Sequence, residues 1–185
     1  MNAKRQVYLD HAATTPIDPK VQEAMMPYVQ EHYGNPSSFH MLGKRVKDAI
    51  DQARSSVANI LGARPDEVVF TSGGTESDNL AVLGIARKHQ EIGRHIVSAK
   101  TEHPAVLEAL EQLEKEGFEV TYVPVDQTGS ITMQSVMNVL REDTILVTLM
   151  YANNEIGTIH PIAQIGNAIQ KYRLEKKSSF PLFHT

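Results

Sequence analysis

Four stretches of the chain carry groups able to do chemistry. The first is Thr71-Ser72-Gly73-Gly74-Thr75-Glu76-Ser77-Asp78-Asn79, which follows the apolar run Val68-Val69-Phe70. A strand that runs through a glycine pair into a helix presents free backbone amides, and free amides at a helix start attract anions. Gly73 and Gly74 permit a tight turn and a close approach by a ligand. Thr75 is placed to start the helix, with Asp78 three residues on as its capping partner. A phosphate suits such a turn, although the same residues also make an ordinary strand-to-helix connection. Neither the Gly-x-x-x-x-Gly-Lys nor the Gly-x-Gly-x-x-Gly spacing of nucleotide sites is present.

The second stretch is Thr101-Glu102-His103-Pro104. Proline suits a first helical position, which puts His103 at the cap. An imidazole there can stack on a flat ring, move protons near neutral pH, or only cap the helix. The third is Tyr151-Ala152-Asn153-Asn154-Glu155-Ile156-Gly157. Its asparagines can donate to a ligand oxygen or bond their own backbone in a turn. The fourth is Tyr8-Leu9-Asp10-His11-Ala12-Ala13-Thr14-Thr15, whose small residues either let a substrate pass or pack as an extended arm.

The elements that must position these groups follow from periodicity and punctuation. Strand-like runs cover Glu67–Thr71, His95–Ala99, Glu119–Val123, Thr144–Leu149 and Phe180–His184. Helical patterns cover 20–32, Gly43–Leu61 with Gly62 as its stop, 75–89, 104–116, 132–141 and 161–173. Alternating strands and helices predict an α/β fold with a mainly parallel sheet, in which ligands bind beyond the carboxyl ends of the strands. Lys176-Lys177-Ser178-Ser179 is a solvated connector. The series stops on a strand with no covering helix after it, so a truncated domain is expected.

Composition narrows the class. With 185 residues, 41% of them apolar, the chain can build a core. A net charge of −4 favours neither nucleic acid nor an anionic membrane surface. There is no signal-peptide pattern and no apolar run of membrane-spanning length, so a cytoplasmic protein is expected. The sequence contains no cysteine, which removes disulfides, thiolate metal sites and thiol nucleophiles from these residues.

Taken together, YLDHAATTP at 8–16, GNPSS at 34–38, VVFTSGGTESDNLA at 68–81, TEHPAVL at 101–107, GFEVTY at 117–122 and NNEIG at 153–157 resemble the cysteine desulfurases of the class V aminotransferases. The resemblance runs over essentially the whole chain. It implies a three-layer α/β/α fold of the aspartate-aminotransferase type (fold type I), with residues 1–15 as an N-terminal arm and 16–185 as part of the cofactor-binding large domain. It implies a homodimer, and pyridoxal 5′-phosphate as the cofactor. L-cysteine would be the substrate, and a sulfur acceptor or iron–sulfur scaffold protein the partner. By position, Gly74 and Thr75 would hold the phosphate, His103 would stack on the ring and assist proton transfer, and Asn154 would bond the ring hydroxyl.

The same resemblance implies parts that these residues do not supply. The family's ring-nitrogen aspartate, its Schiff-base lysine in a Ser-x-His-Lys stretch, its persulfide cysteine, its late strands and its small C-terminal domain are expected beyond Thr185. The 185 residues alone are therefore expected to be inactive and marginally stable. A selenocysteine lyase or another class V enzyme is the neighbouring alternative. A non-catalytic assembly module, or half of a split enzyme, is the alternative of a different kind.

Overall fold

The fold is that of a computed structural model, which describes residues 7–185. The first six residues of the expected arm lie outside that range. The described residues through Phe70 form one compact unit, and Thr71–Thr185 form another.

In the first unit, α1 spans Pro19–Gln30 and is capped by Asp18, whose carboxylate accepts from the Lys20 amide at 2.8 Å. Helix α2 spans Met41–Leu61 and ends on Gly62, which takes the left-handed φ of 64° that favours glycine. A 3-10 turn, Pro65–Glu67, follows. The expected strand Glu67–Thr71 is not formed. Val68 is extended, but Val68–Phe70 pairs with no strand among the described residues. Arg54 of α2 holds this segment instead, donating to the Val68 carbonyl at 3.2 Å and lying over the Phe70 ring. β-propensity describes fitness for a sheet, and without a neighbouring ladder it does not make a strand.

The second unit contains the sheet. Helix α3 (Gly74–His89) leads into β1 (His95–Ala99), α4 (Pro104–Lys115), β2 (Glu119–Val123), α5 (Met133–Met137), β3 (Thr144–Thr148), α6 (Ile162–Lys176) and β4 (Leu182–His184). The strands lie in the order β2-β1-β3-β4, and every pairing is parallel. β1 and β3 are central and wholly buried, which explains the apolar runs Ile96-Val97 and Ile145-Leu146-Val147 at their centres. Helix α5 is shorter than the 132–141 pattern. Thr132 and Ser135 close a capping box at its start, and the segment tightens into single turns after Met137.

Side chains alternate across the sheet. Ile96 and Leu146 face α3 and α4, among Val82, Val106, Leu110 and Leu113. Val97, Val147 and Leu149 face α5 and α6, among Val136, Ile165 and Ile169. The unit is thus three-layered, α/β/α, as the sequence implies. The chain moves one way along the sheet from β1 to β2 and the opposite way from β2 through β3 to β4. The helices of the two directions accordingly cover opposite faces, as right-handed crossovers require. That reversal makes the gap between the carboxyl ends of β1 and β3 a topological switch point, where open α/β sheets bind ligands. Among the described residues, no helix is long and apolar enough to cross a membrane.

Candidate functional site

At the switch point lies a hollow of about 390 Å³, walled by Lys100–Pro104 after β1 and Asn153–Ile156 after β3. Its size is that of a small-molecule site. A larger apolar hollow of about 520 Å³ runs along α1 beside Val21, Met25 and Tyr28. Lys20 is the sole ionisable group on its apolar wall besides the Tyr28 phenol, so it offers no constellation for catalysis.

His103 and Asn154 both line the switch-point hollow. His103 is the N-cap of α4, and Pro104 is that helix's first residue, as their order in the sequence requires. Its Nδ1 accepts from the Ala105 amide at 3.1 Å. The neutral ring therefore carries its proton on Nε2, the edge turned away from the helix. Asn154 sits in a turn closed by its neighbour. Asn153 Oδ1 accepts from the Glu155 and Ile156 amides, both at 2.9 Å. The two asparagines thus divide the two roles that the sequence left open: Asn153 builds the turn, and Asn154 is exposed on the wall.

Gly74 and Thr75 are not on the wall of that hollow. They begin α3, and Asn79 ties this start to the first turn of α4: its Nδ2 donates to the Thr75 carbonyl at 2.8 Å and to the Ala105 carbonyl at 3.4 Å. The glycine turn and the His103 cap are therefore neighbours at one end of the sheet. The N-cap of α3 is Gly73 rather than Thr75, and Asp78 takes no capping role. Glu76 turns back instead, accepting from the Ser72 amide and hydroxyl at 2.6 Å each. Those bonds hold its carboxyl below the usual carboxylate range. Neither glycine is required by backbone strain, since Gly73 is extended and a Cβ on either residue would meet open space. Among the described residues, no acceptor takes the Gly74 or Thr75 amide.

Two groups at this end of the sheet escaped sequence reasoning. Glu102 is buried, and Oε1 of its carboxyl accepts from the Met150 amide. Burial, with the Asp78 charge adding to it, pushes the Glu102 carboxyl up to about 7. Asp78 in turn lies 3.8 Å from Nε2 of His184, whose Nδ1 meets the Thr148 hydroxyl at 2.9 Å. Burial pushes the His184 imidazole down despite that carboxylate. Nothing in the local sequence marks Glu102 for burial. Only the long-range fold of residue 150 over it does so.

Residues 7–174 match the model of the class-V aminotransferase family. The chain belongs to that family. Among class-V relatives, the cysteine desulfurase IscS of Dictyoglomus turgidum is 50% identical over 169 residues, covering 91% of this chain and 43% of that protein. A solved NifS-like protein superposes with a TM-score of 0.90 at 39% identity, covering 97% of this chain and 48% of that one. A structure of SspA in complex with cysteine superposes with a TM-score of 0.87 at 40% identity, covering 96% and 49%. The chain thus spans less than half the length of the class-V relatives it matches. The fold is the aspartate-aminotransferase-like fold, type I, of those enzymes.

Proposed function

We propose that this chain forms the cofactor-cradling part of a pyridoxal 5′-phosphate-dependent cysteine desulfurase. The observation that carries the reading is the hollow at the switch point, with His103 on the β1 side and Asn154 on the β3 side. The likeness to proteins named cysteine desulfurase supports the same reading. The residues fit the cofactor: the α3 start offers free amides beside two glycines with open space around them, and His103 keeps one ring edge outward.

In this reading, the amides of Gly74 and Thr75 and the Thr75 hydroxyl hold the phosphate, aided by the helix dipole. His103 stacks on the pyridine ring and moves a proton at Nε2. Asn154 donates through Nδ2 to the ring hydroxyl oxygen. When bound, the cofactor supplies an electron sink for the α-carbon of an amino acid. The net change moves the sulfur of L-cysteine to an acceptor thiol as a persulfide and leaves L-alanine. The acceptor thiol comes from outside these residues, none of which is cysteine. Residues 1–15 act as an arm and 16–185 as part of the large domain of a cytoplasmic homodimer, with a sulfur acceptor or iron–sulfur scaffold as partner.

Titration of the purified chain with pyridoxal 5′-phosphate, followed by absorbance and tyrosine fluorescence, tests this. Saturable binding is expected, weakened about fivefold in each of Thr75→Ala and His103→Ala, as befits the loss of one hydrogen bond or one stacking contact at about 1 kcal/mol. Saturation that both variants leave unchanged would remove the assignment.

With L-cysteine and cofactor, the 185 residues are expected to give no sustained alanine, since they contain neither a cysteine to take up the sulfur nor a Ser-x-His-Lys lysine to hold the cofactor. Continued alanine release by mass spectrometry would contradict the sulfur path.

A further inference from the structure

Two hydrogen bonds cross between the walls of the switch-point hollow, and each lies one residue from a proposed cofactor contact. The Met150 amide donates to the carboxyl of Glu102, which precedes His103. Asn153, which precedes Asn154, donates through Nδ2 to the Thr101 carbonyl at 3.0 Å. We propose that Glu102 is a positioning residue, whose buried carboxyl latches the end of β1 to the end of β3 and so sets the spacing of His103 and Asn154. The purpose of that spacing rests on the cofactor reading above; the latch itself does not.

Three observations favour a latch over an incidental buried acid. Glu102 is only 7% exposed, and no other carboxylate is buried among the described residues. The carboxyl is not needed as a helix cap, because His103 already supplies that bond. Nor does it belong to an ion pair: among the described residues, no lysine or arginine pairs with it. Its cost is therefore not offset by a salt bridge, and a buried carboxyl without one disfavours its own charge. Besides support from the adjacent His103 backbone amide, it gains a bond to a residue 48 positions away, across the point where the sheet changes direction.

The charged and titratable groups around Glu102 are few. Asp78 faces it from α3 and opposes its ionisation. His184 of β4 lies against Asp78, while Lys100, His103 and Glu155 share the hollow. The Met150 amide can donate to the carboxyl in either protonation state, and more strongly to the carboxylate. The amide therefore reports the state of the latch.

The test follows the Met150 amide by 15N NMR between pH 5 and pH 9, together with pyridoxal 5′-phosphate binding at fixed pH. In the unsubstituted chain, the Met150 resonance is expected to titrate with a midpoint near neutrality. In Glu102→Gln it is expected to stay fixed, with cofactor affinity within about twofold, because the amide oxygen still accepts. Glu102→Ala is expected to bind at least about tenfold more weakly, and its Met150 and Glu155 amides to exchange faster. Glu102→Asp, which keeps the charge but shortens the reach, is expected to lose affinity similarly, and it serves if the alanine variant fails to fold. A Met150 amide that does not titrate, or that still titrates in Glu102→Gln, overturns the latch. Aspartate or alanine variants that bind like the unsubstituted chain overturn its positioning role. If the unsubstituted chain does not bind the cofactor, the cofactor reading and the purpose assigned to the spacing both fall, whereas Met150 titration would still uphold the latch.

Discussion

Gly93→Ala is expected to lower the unfolding free energy of the sheet unit by about 3 kcal/mol, the upper end of the usual cost of overpacking. A Cβ on Gly93 would lie 2.2 Å from the Asp143 carbonyl oxygen, 2.7 Å from its carbon and 2.9 Å from its Cα. All three atoms are backbone, so no rotamer change relieves the clash. Asp143 also cannot move freely. Its carbonyl accepts from the His95 amide at 3.2 Å, where the ladder of β1 and β3 begins and its register shifts.

Behind that carbonyl lies a buried polar knot. His95 is fully buried, its Nδ1 2.7 Å from the Thr144 hydroxyl and its Nε2 2.8 Å from the Thr121 hydroxyl. Displacing Asp143 drags Thr144 and strains a three-strand contact in which His95 and Thr144 are buried away from water and Thr121 is half-buried. Equilibrium urea unfolding followed by circular dichroism measures the loss. A change below about 0.5 kcal/mol would show that the strand entry yields freely, and that the close approach at Gly93 carries no stability.

Much of this architecture is legible in the residues, and the misses have physical causes. Helix α2 is readable because its apolar residues recur at helical spacing and Gly62 stops it. β1 and β3 are readable because their centres, Ile96-Val97 and Ile145-Leu146-Val147, are apolar on both faces. The three layers follow from alternating strands and helices. Val68-Val69-Phe70 has strand propensity but forms no strand, because a strand is completed by a partner and the late strands that the resemblance implies are not among these residues. Asp78 misled as a capping residue because the helix cap lies two residues earlier than expected, at Gly73, and Glu76 is then the residue that reaches Ser72. At the site, His103 and Asn154 were visible as polar groups at element ends. Glu102 was not, nor was the cross-wall bond that Asn153 makes besides its turn, because both exist only once β1 and β3 lie side by side, about 50 residues apart in sequence.

The burial of Glu102 should also govern how stability changes with pH. Its carboxyl is raised from an ordinary 4.5 to about 7 in the folded chain. The folded state therefore holds a proton that the unfolded state has released between those values. Stability falls as pH rises through that window and then levels off, by about 3 kcal/mol in all.

Burial acts in the opposite sense on the imidazoles of His95, His160 and His184, all pushed below their ordinary 6.5. Unfolding lets each take up a proton that the fold resists, so they remove stability as pH falls through 6.5. The two trends overlap between pH 4.5 and 6.5 and partly cancel in the unsubstituted chain.

Glu102→Gln separates them. It leaves the histidines in place and removes the carboxyl, so the gap between variant and unsubstituted stabilities isolates one group. That gap is expected to shift in favour of the glutamine variant by about 3 kcal/mol from pH 4.5 to pH 8, read as urea midpoints at matched ionic strength. Parallel pH curves would mean that the carboxyl reaches solvent in the folded chain. The hollow between β1 and β3 would then lack the buried acid that its geometry implies.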